Sequence, residues 1–480
     1  MKKKIILTLL VVLLALTLFA CKDKNVDKTS DIRYKINLSE GSDNTFSCAQ
    51  TTTIKNVYAS GLDNLVFNLY ANAYSEEAVN KAYTEKLTSY GGIKILTVSV
   101  NGEKATYNVE GDGSFLSVAI PETALNKEIT VDLNYTLTLP VCNLRMGVNG
   151  DLVKLTSFYP QLAVFENGSF RRDVYTTKGD PFFSDVADYE VTITAGREYM
   201  IASSGSEAVS ESTLGETTQT RKYNATLIRD FALILDKNLS KASATVGNTE
   251  VMYYYYEDEK PQDTLKYAVD AVEVFSEKFG TYPYETLSVV MTDFADAGME
   301  FGRLVFIADD ISDLEDTIVH EIAHQWWYGM VGNDSINEAF LDEGLATFST
   351  LYYYKQIYGQ EKYKKKFKEV ADSYILYERI QDMRNTGADL SINKSIYDFT
   401  DYQYDMLVYK KGAMMFASLM ETMGEEKFTK ALCTYVKDNR YCIAATEDLI
   451  KALSGAYGAD ISGYVNGWLG SQIKVTMLSA

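Results

Sequence analysis

Apolar and polar positions alternate along most of residues 32–248. Ile95–Val100 and Ala105–Glu110 flank Asn101-Gly102, a pair suited to the tight turn of a hairpin, and Gly111-Asp112-Gly113 ends the second run. Alternation returns at Ile129–Leu139, Tyr189–Thr194, Glu198–Ala202 and Lys222–Leu235. These runs predict a mostly antiparallel β domain over residues 32–250. Past Val251 the period lengthens: Asp263–Phe279 has helical spacing, Leu287–Thr292 and Leu304–Ala308 read as strands, and helical periods dominate from Leu314 onward. The pattern thus predicts a multidomain α+β chain whose second part, residues 251–480, is mainly helical.

A length of 480 residues with 46% hydrophobic and 23% charged positions supports two or more cores and excludes collagen-like, low-complexity and largely disordered classes. No internal repeat is evident. The 66 acids against 46 bases give a net charge of −20, which argues against a nucleic-acid partner.

The N-terminus changes the compartment. Lys2, Lys3 and Lys4 precede an apolar run from Ile5 to Phe19, which is short of the roughly 20 residues of a spanning helix and has the layout of a secretory signal. Leu18-Phe19-Ala20-Cys21 resembles a bacterial lipobox. That resemblance implies a lipoprotein signal over residues 1–20, a lipidated Cys21, a tether over 21–31 and an extracytoplasmic protein held at a membrane. Export permits disulfides, so Cys48, Cys142, Cys433 and Cys442 are read either as two bridges, Cys48–Cys142 and Cys433–Cys442 within each domain, or as four buried thiols.

The chain holds only two histidines, and both lie in His320-Glu321-Ile322-Ala323-His324. Spacing i, i+4 sets both imidazoles on one helical face, where they can share a metal, with Glu321 beside them to reach a metal-bound water. A catalytic zinc commonly takes three protein ligands and keeps a site for water. Glu343, after eighteen intervening residues, at the start of the next helical segment, is the candidate third ligand.

This HExxH followed by Glu resembles the gluzincin metallopeptidases, and more particularly the aminopeptidase N and leukotriene hydrolase family. Gln325-Trp326-Trp327-Tyr328-Gly329 and Val331-Gly332-Asn333-Asp334 are similar to that family's helix exit. Gly298-Met299-Glu300 resembles the back half of its Gly-x-Met-Glu-Asn signature, with Ala297 in place of the first Gly and Phe301 in place of Asn. Val408-Tyr409-Lys410-Lys411-Gly412-Ala413 resembles its Tyr-x-Lys-Gly-Ala segment. Tyr159-Pro160, Gly179-Asp180-Pro181-Phe182, Arg229-Asp230-Phe231-Ala232 and Gly280-Thr281-Tyr282-Pro283 are similar to landmarks of bacterial members, so the resemblance covers about residues 150–470.

The resemblance implies a saddle-like β sandwich followed by a thermolysin-like, mainly helical catalytic domain with a small mixed sheet. It also implies one Zn²⁺ held by His320, His324 and Glu343, with Glu321 as general base and Tyr409 as oxyanion donor. Glu300, on an edge strand with Gly298 and Met299, would grip the substrate's α-amine. Peptides are then the substrates, and an aminopeptidase the activity. Ala297 and Phe301 keep an endopeptidase or a non-peptide hydrolase open, and an inactive, lipid-anchored peptide-binding protein is the remaining alternative. Glu338 is a candidate partner for a metal-bound imidazole or a solvated acid, and Lys362–Lys368 is read as a solvated helix face. The chain ends soon after the expected catalytic domain, so the cleft is expected to be open.

Overall fold

The computed structural model describes residues 30–55, 62–78, 87–121, 128–384 and 387–475. Cys21, the signal segment and most of the tether lie outside them. Among the described residues no helix is long and apolar enough to cross a membrane.

The first part is built on a nine-stranded sheet. Its central strands run in the order Thr218–Ile228, Ala187–Gly196, Ile32–Glu40, Thr45–Ile54, Ile129–Thr138, Gly92–Val100. Burial alternates from Ile32 to Ser39 and throughout Ala187–Gly196, as it must when one face of a sheet is packed and the other wet. All neighbours on this path are antiparallel except Ile32–Glu40 with Ala187–Gly196, which pair in parallel. Two smaller sheets, Met200–Ser203 with Leu233–Asp236, Leu152–Leu155 and Gly147–Asn149, and Gln161–Leu162 with Asn64–Asn68, Phe115–Ala119 and Tyr107–Glu110, complete the layers.

Two predicted strands differ from expectation. The Asn101-Gly102 turn forms with both residues at positive φ, 51° and 83°, but only Glu103–Lys104 returns along Gly92–Val100. Tyr107–Glu110 then leaves to pair with Phe115–Ala119 in another sheet. The run Lys222–Leu235 breaks at Arg229-Asp230 into Thr218–Ile228 and Leu233–Asp236, because those two side chains are turned into the second part of the molecule.

The second part contains a five-stranded mixed sheet in the order Ser240–Val246, Thr249–Tyr255, Thr286–Thr292, Leu304–Ala308, Gly298–Phe301. The boundary expected near residue 250 therefore falls inside a hairpin whose two strands both belong to this sheet. Gly298–Phe301 is the edge strand, antiparallel to Leu304–Ala308. Helices α1 (Pro261–Phe279) and α2 (Leu314–Ala323) pack against the sheet and each other, and α3 (Glu343–Tyr358) packs on both, followed by helical segments to Leu469. Pro261 stands at the first helical position of α1, and the Asp313 side chain caps α2 by accepting the Asp316 N–H. Aromatic side chains fill this core: Trp326, Trp327 and Tyr352 to Tyr354 are buried. Lys362–Lys368 is mostly on the surface, as expected, although Lys366 reaches back to Asp313 and Asp316 at the start of α2.

Cys48 and Cys142 are thiols in the structure, so the expected Cys48–Cys142 bridge does not form. Burial pushes the Cys48 thiol up to about 12, which removes the thiolate needed for exchange.

Candidate active site

The site begins at the C-terminal end of α2. His320 and His324 share one face, and α3 starts opposite them at Glu343. Asp342 caps α3, accepting the Glu343 N–H at 2.7 Å and the Asn333 side-chain amide at 2.9 Å. This cap aims the Glu343 carboxylate at the histidines. His320 Nε2 lies 3.2 Å from Glu343 Oε2 and 3.2 Å from His324 Nε2, and His324 Nε2 lies 3.3 Å from the same carboxylate oxygen. A tetrahedral ion with bonds of roughly 2.0–2.1 Å holds its ligand atoms roughly 3.3–3.4 Å apart, so these three donors fit a zinc-sized cation. His324 Nδ1 sits 3.0 Å from the Trp327 carbonyl oxygen, which fixes the tautomer that leaves Nε2 as a donor to metal.

Glu338 does not serve the histidines. Its carboxylate accepts from the Thr446 N–H and hydroxyl, tying two chain segments behind the site. The Trp327 carbonyl oxygen, not Glu338, orients the His324 ring.

A second triad of groups, Glu300, Glu321 and His324, lies close by, but it does not make a second metal site. His324 Nδ1 is 4.0 Å from Glu300 and already committed to Trp327.

The edge strand presses against α2. A Cβ on Gly298 would lie 2.5 Å from Glu321 Oε1, so only glycine lets this strand approach the carboxylate. Met299 contributes its sulfur to Arg145 Nε at 3.1 Å, and Glu300 is buried in the cleft at 4% exposure. Ala297 lines the cleft, and its carbonyl accepts the Ala308 N–H. Phe301 turns its ring into the core against Phe182 and Phe306. The two departures from the signature therefore leave the place of Glu300 intact.

Tyr409 lies on a π-helical turn, Asp405–Lys411, an irregularity common at functional sites. Its hydroxyl donates to Glu343 Oε1 at 2.5 Å. Just after it, Gly412 meets Gly344 of α3 so closely that a Cβ on Gly412 would lie 3.0 Å from the Gly344 Cα. The Gly in the Tyr409-Lys410-Lys411-Gly412 segment thus brings Tyr409 to Glu343.

The site is crowded with carboxylates. Burial raises Glu321, the two imidazoles oppose this, Glu343 and Asp180 add to it, and the group stands at about 7. Burial, with Asp180, Glu321 and Glu343 nearby, raises Glu300 well above the usual range. Glu343 is the exception, since both histidines outweigh the effect of burial and hold it low. Burial opposes charge on His324, but Glu300 and Glu343 outweigh it and raise its pKa well above the usual value. A divalent cation would relieve this excess of buried negative charge.

Four cleft residues come from the β part of the chain: Arg145, Thr177, Gly179 and Asp180. Arg145 and Asp180 form a buried ion pair at 3.1 Å, and burial lifts Asp180 to about 6 against the pull of Arg145, with Glu343 adding to the rise. Sequence reading did not assign Arg145 or Asp180 a role. Asp180 sits in one of the landmark segments, but only the folded chain shows which acid faces Glu343. For Arg145 there was no local signal.

The comparisons with known proteins agree with this geometry. Residues 264–468 match the peptidase family M1 domain. Aminopeptidase M1-B of Oryza sativa subsp. japonica is 26% identical over 246 residues, covering 48% of this chain and 28% of the rice protein. Probable aminopeptidase 1 of Sulfurisphaera tokodaii is 27% identical over 225 residues, or 42% and 28%. The chain thus aligns with about a quarter of the length of these relatives. The M1 zinc metallopeptidase of Deinococcus radiodurans, in a mutant bound to Tyr-Ser-Ala, superposes with a TM-score of 0.68 at 16% identity over 94% of this chain and 95% of that one. Legionella pneumophila aminopeptidase A, in complex with aspartic acid, gives 0.65 at 17% identity over 94% and 50%. These superpositions show a shared two-part fold. The helical part of this chain, residues 264–468, is accordingly similar to the peptidase family M1 domain.

Proposed function

We propose that the protein is a zinc-dependent aminopeptidase that removes N-terminal residues from peptides. The observation that carries this reading is the single cleft in which three metal donors 3.2–3.3 Å apart, Glu321 and the buried Glu300 converge. The named aminopeptidases among its relatives and the metallopeptidase fold support it.

His320, His324 and Glu343 would hold the ion. Zinc bound there supplies polarisation of the scissile carbonyl and a more acidic water. Glu321, packed against Gly298, accepts the proton of the attacking water on its carboxylate and passes it to the leaving nitrogen. The Tyr409 hydroxyl, which rests on Glu343, turns to donate to the oxygen on which charge develops. Glu300 pairs with the free α-amine, and an acylated amine would leave that buried carboxylate without a partner.

The test is a mixed peptide pool, free and N-acetylated, incubated with zinc and read by mass spectrometry, with Glu321→Gln as the blank. Loss of single N-terminal residues from the free peptides alone supports the aminopeptidase. Internal cuts or equal cleavage of both pools make it an endopeptidase, and no cleavage beyond the blank favours a non-peptide substrate or a binding role.

The lipobox-like Leu18-Phe19-Ala20-Cys21 carries a second part of the reading: the enzyme is a lipoprotein anchored outside the cytoplasm through Cys21. A radiolabelled fatty acid entering the wild-type chain but not Cys21→Ser supports it, and equal or absent labelling of both refutes it.

A further inference from the structure

The edge hairpin that carries Glu300 ends in a two-residue turn. Phe301 pairs with Leu304, leaving Gly302 and Arg303 to reverse the chain, the latter in the left-handed region at φ 62°. Three backbone groups of this turn are held by two side chains from elsewhere. Gln325 donates its amide to the Phe301 carbonyl at 3.0 Å and accepts the Arg303 N–H on its oxygen at 2.8 Å. Asp230 accepts the Gly302 N–H at 2.7 Å. The turn packs closely there, since a Cβ on Gly302 would lie 3.1 Å from the Cβ of Ile228.

Both clamps also grip the metal side of the cleft. Gln325 directly follows the ligand His324, and it is buried at 1% exposure with Tyr282 donating to its oxygen at 3.3 Å. Asp230 accepts the hydroxyl of Tyr328, which lies just past that helix, while the adjacent Arg229 donates to the Tyr328 carbonyl at 2.6 Å. Tyr328 itself has φ 126°, a conformation that persists only where surroundings enforce it.

We infer that Gln325 and Asp230 are positioning residues that set the span between Glu300 and the metal donors, and so fix cleavage one residue from the free amine. The inference rests on the reading of Glu300 as the amine anchor. Neither residue lines the cleft. A turn that slipped along α2 would leave the ligands in place while moving the carboxylate that measures the substrate, and a shift of about 1 Å costs on the order of 10²-fold in a positioned reaction.

The test compares wild type, Gln325→Met and Asp230→Ala as zinc-loaded full chains. Zinc per chain is measured, together with kcat and KM on one peptide in free and N-acetylated form, the cleavage position, and calorimetric binding of L-phenylalaninamide. We expect each variant to keep one zinc, to lose about tenfold or more of the preference for the free peptide and to bind the amide more weakly, with cuts beyond the first residue appearing. A wild-type preference that the folded, zinc-loaded variants retain overturns this inference alone. A wild type without that preference overturns the anchor reading and this inference with it. Should one variant fail to fold, the other decides.

Discussion

The two sides of the cleft are built in different ways. The metal side is local: His320 and His324 sit one turn apart on α2, and Glu343 opens the next long helix under its own Asp342 cap. The amine side is assembled from afar, with Glu300 on an edge strand whose turn hangs on Gln325 and Asp230, beside Arg145 and Asp180 from the β part. Chemistry that needs short, fixed ligand distances is carried by one rigid helix pair. On the proposed reading, the chemistry that selects the substrate is carried by contacts from distant parts of the chain, some of them between its two parts.

That contrast can be broken from either side. The largest effect belongs to Glu321→Gln, which removes proton transfer: kcat falls by about 10²–10⁴-fold with zinc content unchanged, read by steady-state kinetics and metal analysis. Glu300→Gln comes next. It takes away the charge that meets the amine, so KM for free peptides rises about 10- to 100-fold, kcat changes less, and acetylated peptides are affected little.

The smallest effect falls on stability. Lys154, from the β part, is fully buried and donates to the carbonyl of Asp293, just before the amine-side strand. Burial lowers its pKa from 10.5 to about 8. Between those values the unfolded chain binds the proton that the folded chain has lost, so stability rises with pH across this window. The advantage is absent below about pH 8. Lys154→Met removes this rise, which amounts to no more than about 3 kcal/mol. Urea unfolding of both proteins near pH 7.5 and pH 10 measures it, and parallel curves would show that the ammonium is not held as the structure places it.

The same contrast explains what the sequence disclosed. His320, Glu321, His324 and Glu343 were legible because helical spacing and a fixed gap encode their meeting. The alternation of Ile32–Glu40 or Ile129–Thr138 disclosed strands for an equally local reason, one face being buried. Tyr409 and Glu300 were found through the resemblance of their segments. Arg145, Asp180, Asp230 and Gln325 carry no such period, since their meaning depends on partners far along the chain. The break of the predicted strand at Arg229-Asp230 has the same origin: two polar side chains in an apolar run were needed elsewhere.

The most direct test of the account is a crystal of the zinc-loaded protein with anomalous data on both sides of the zinc edge. One peak per chain is expected, roughly 2.0–2.2 Å from His320 Nε2, His324 Nε2 and a Glu343 oxygen. A peak instead among Glu300, Glu321 and His324, or no peak at saturating zinc, would contradict it.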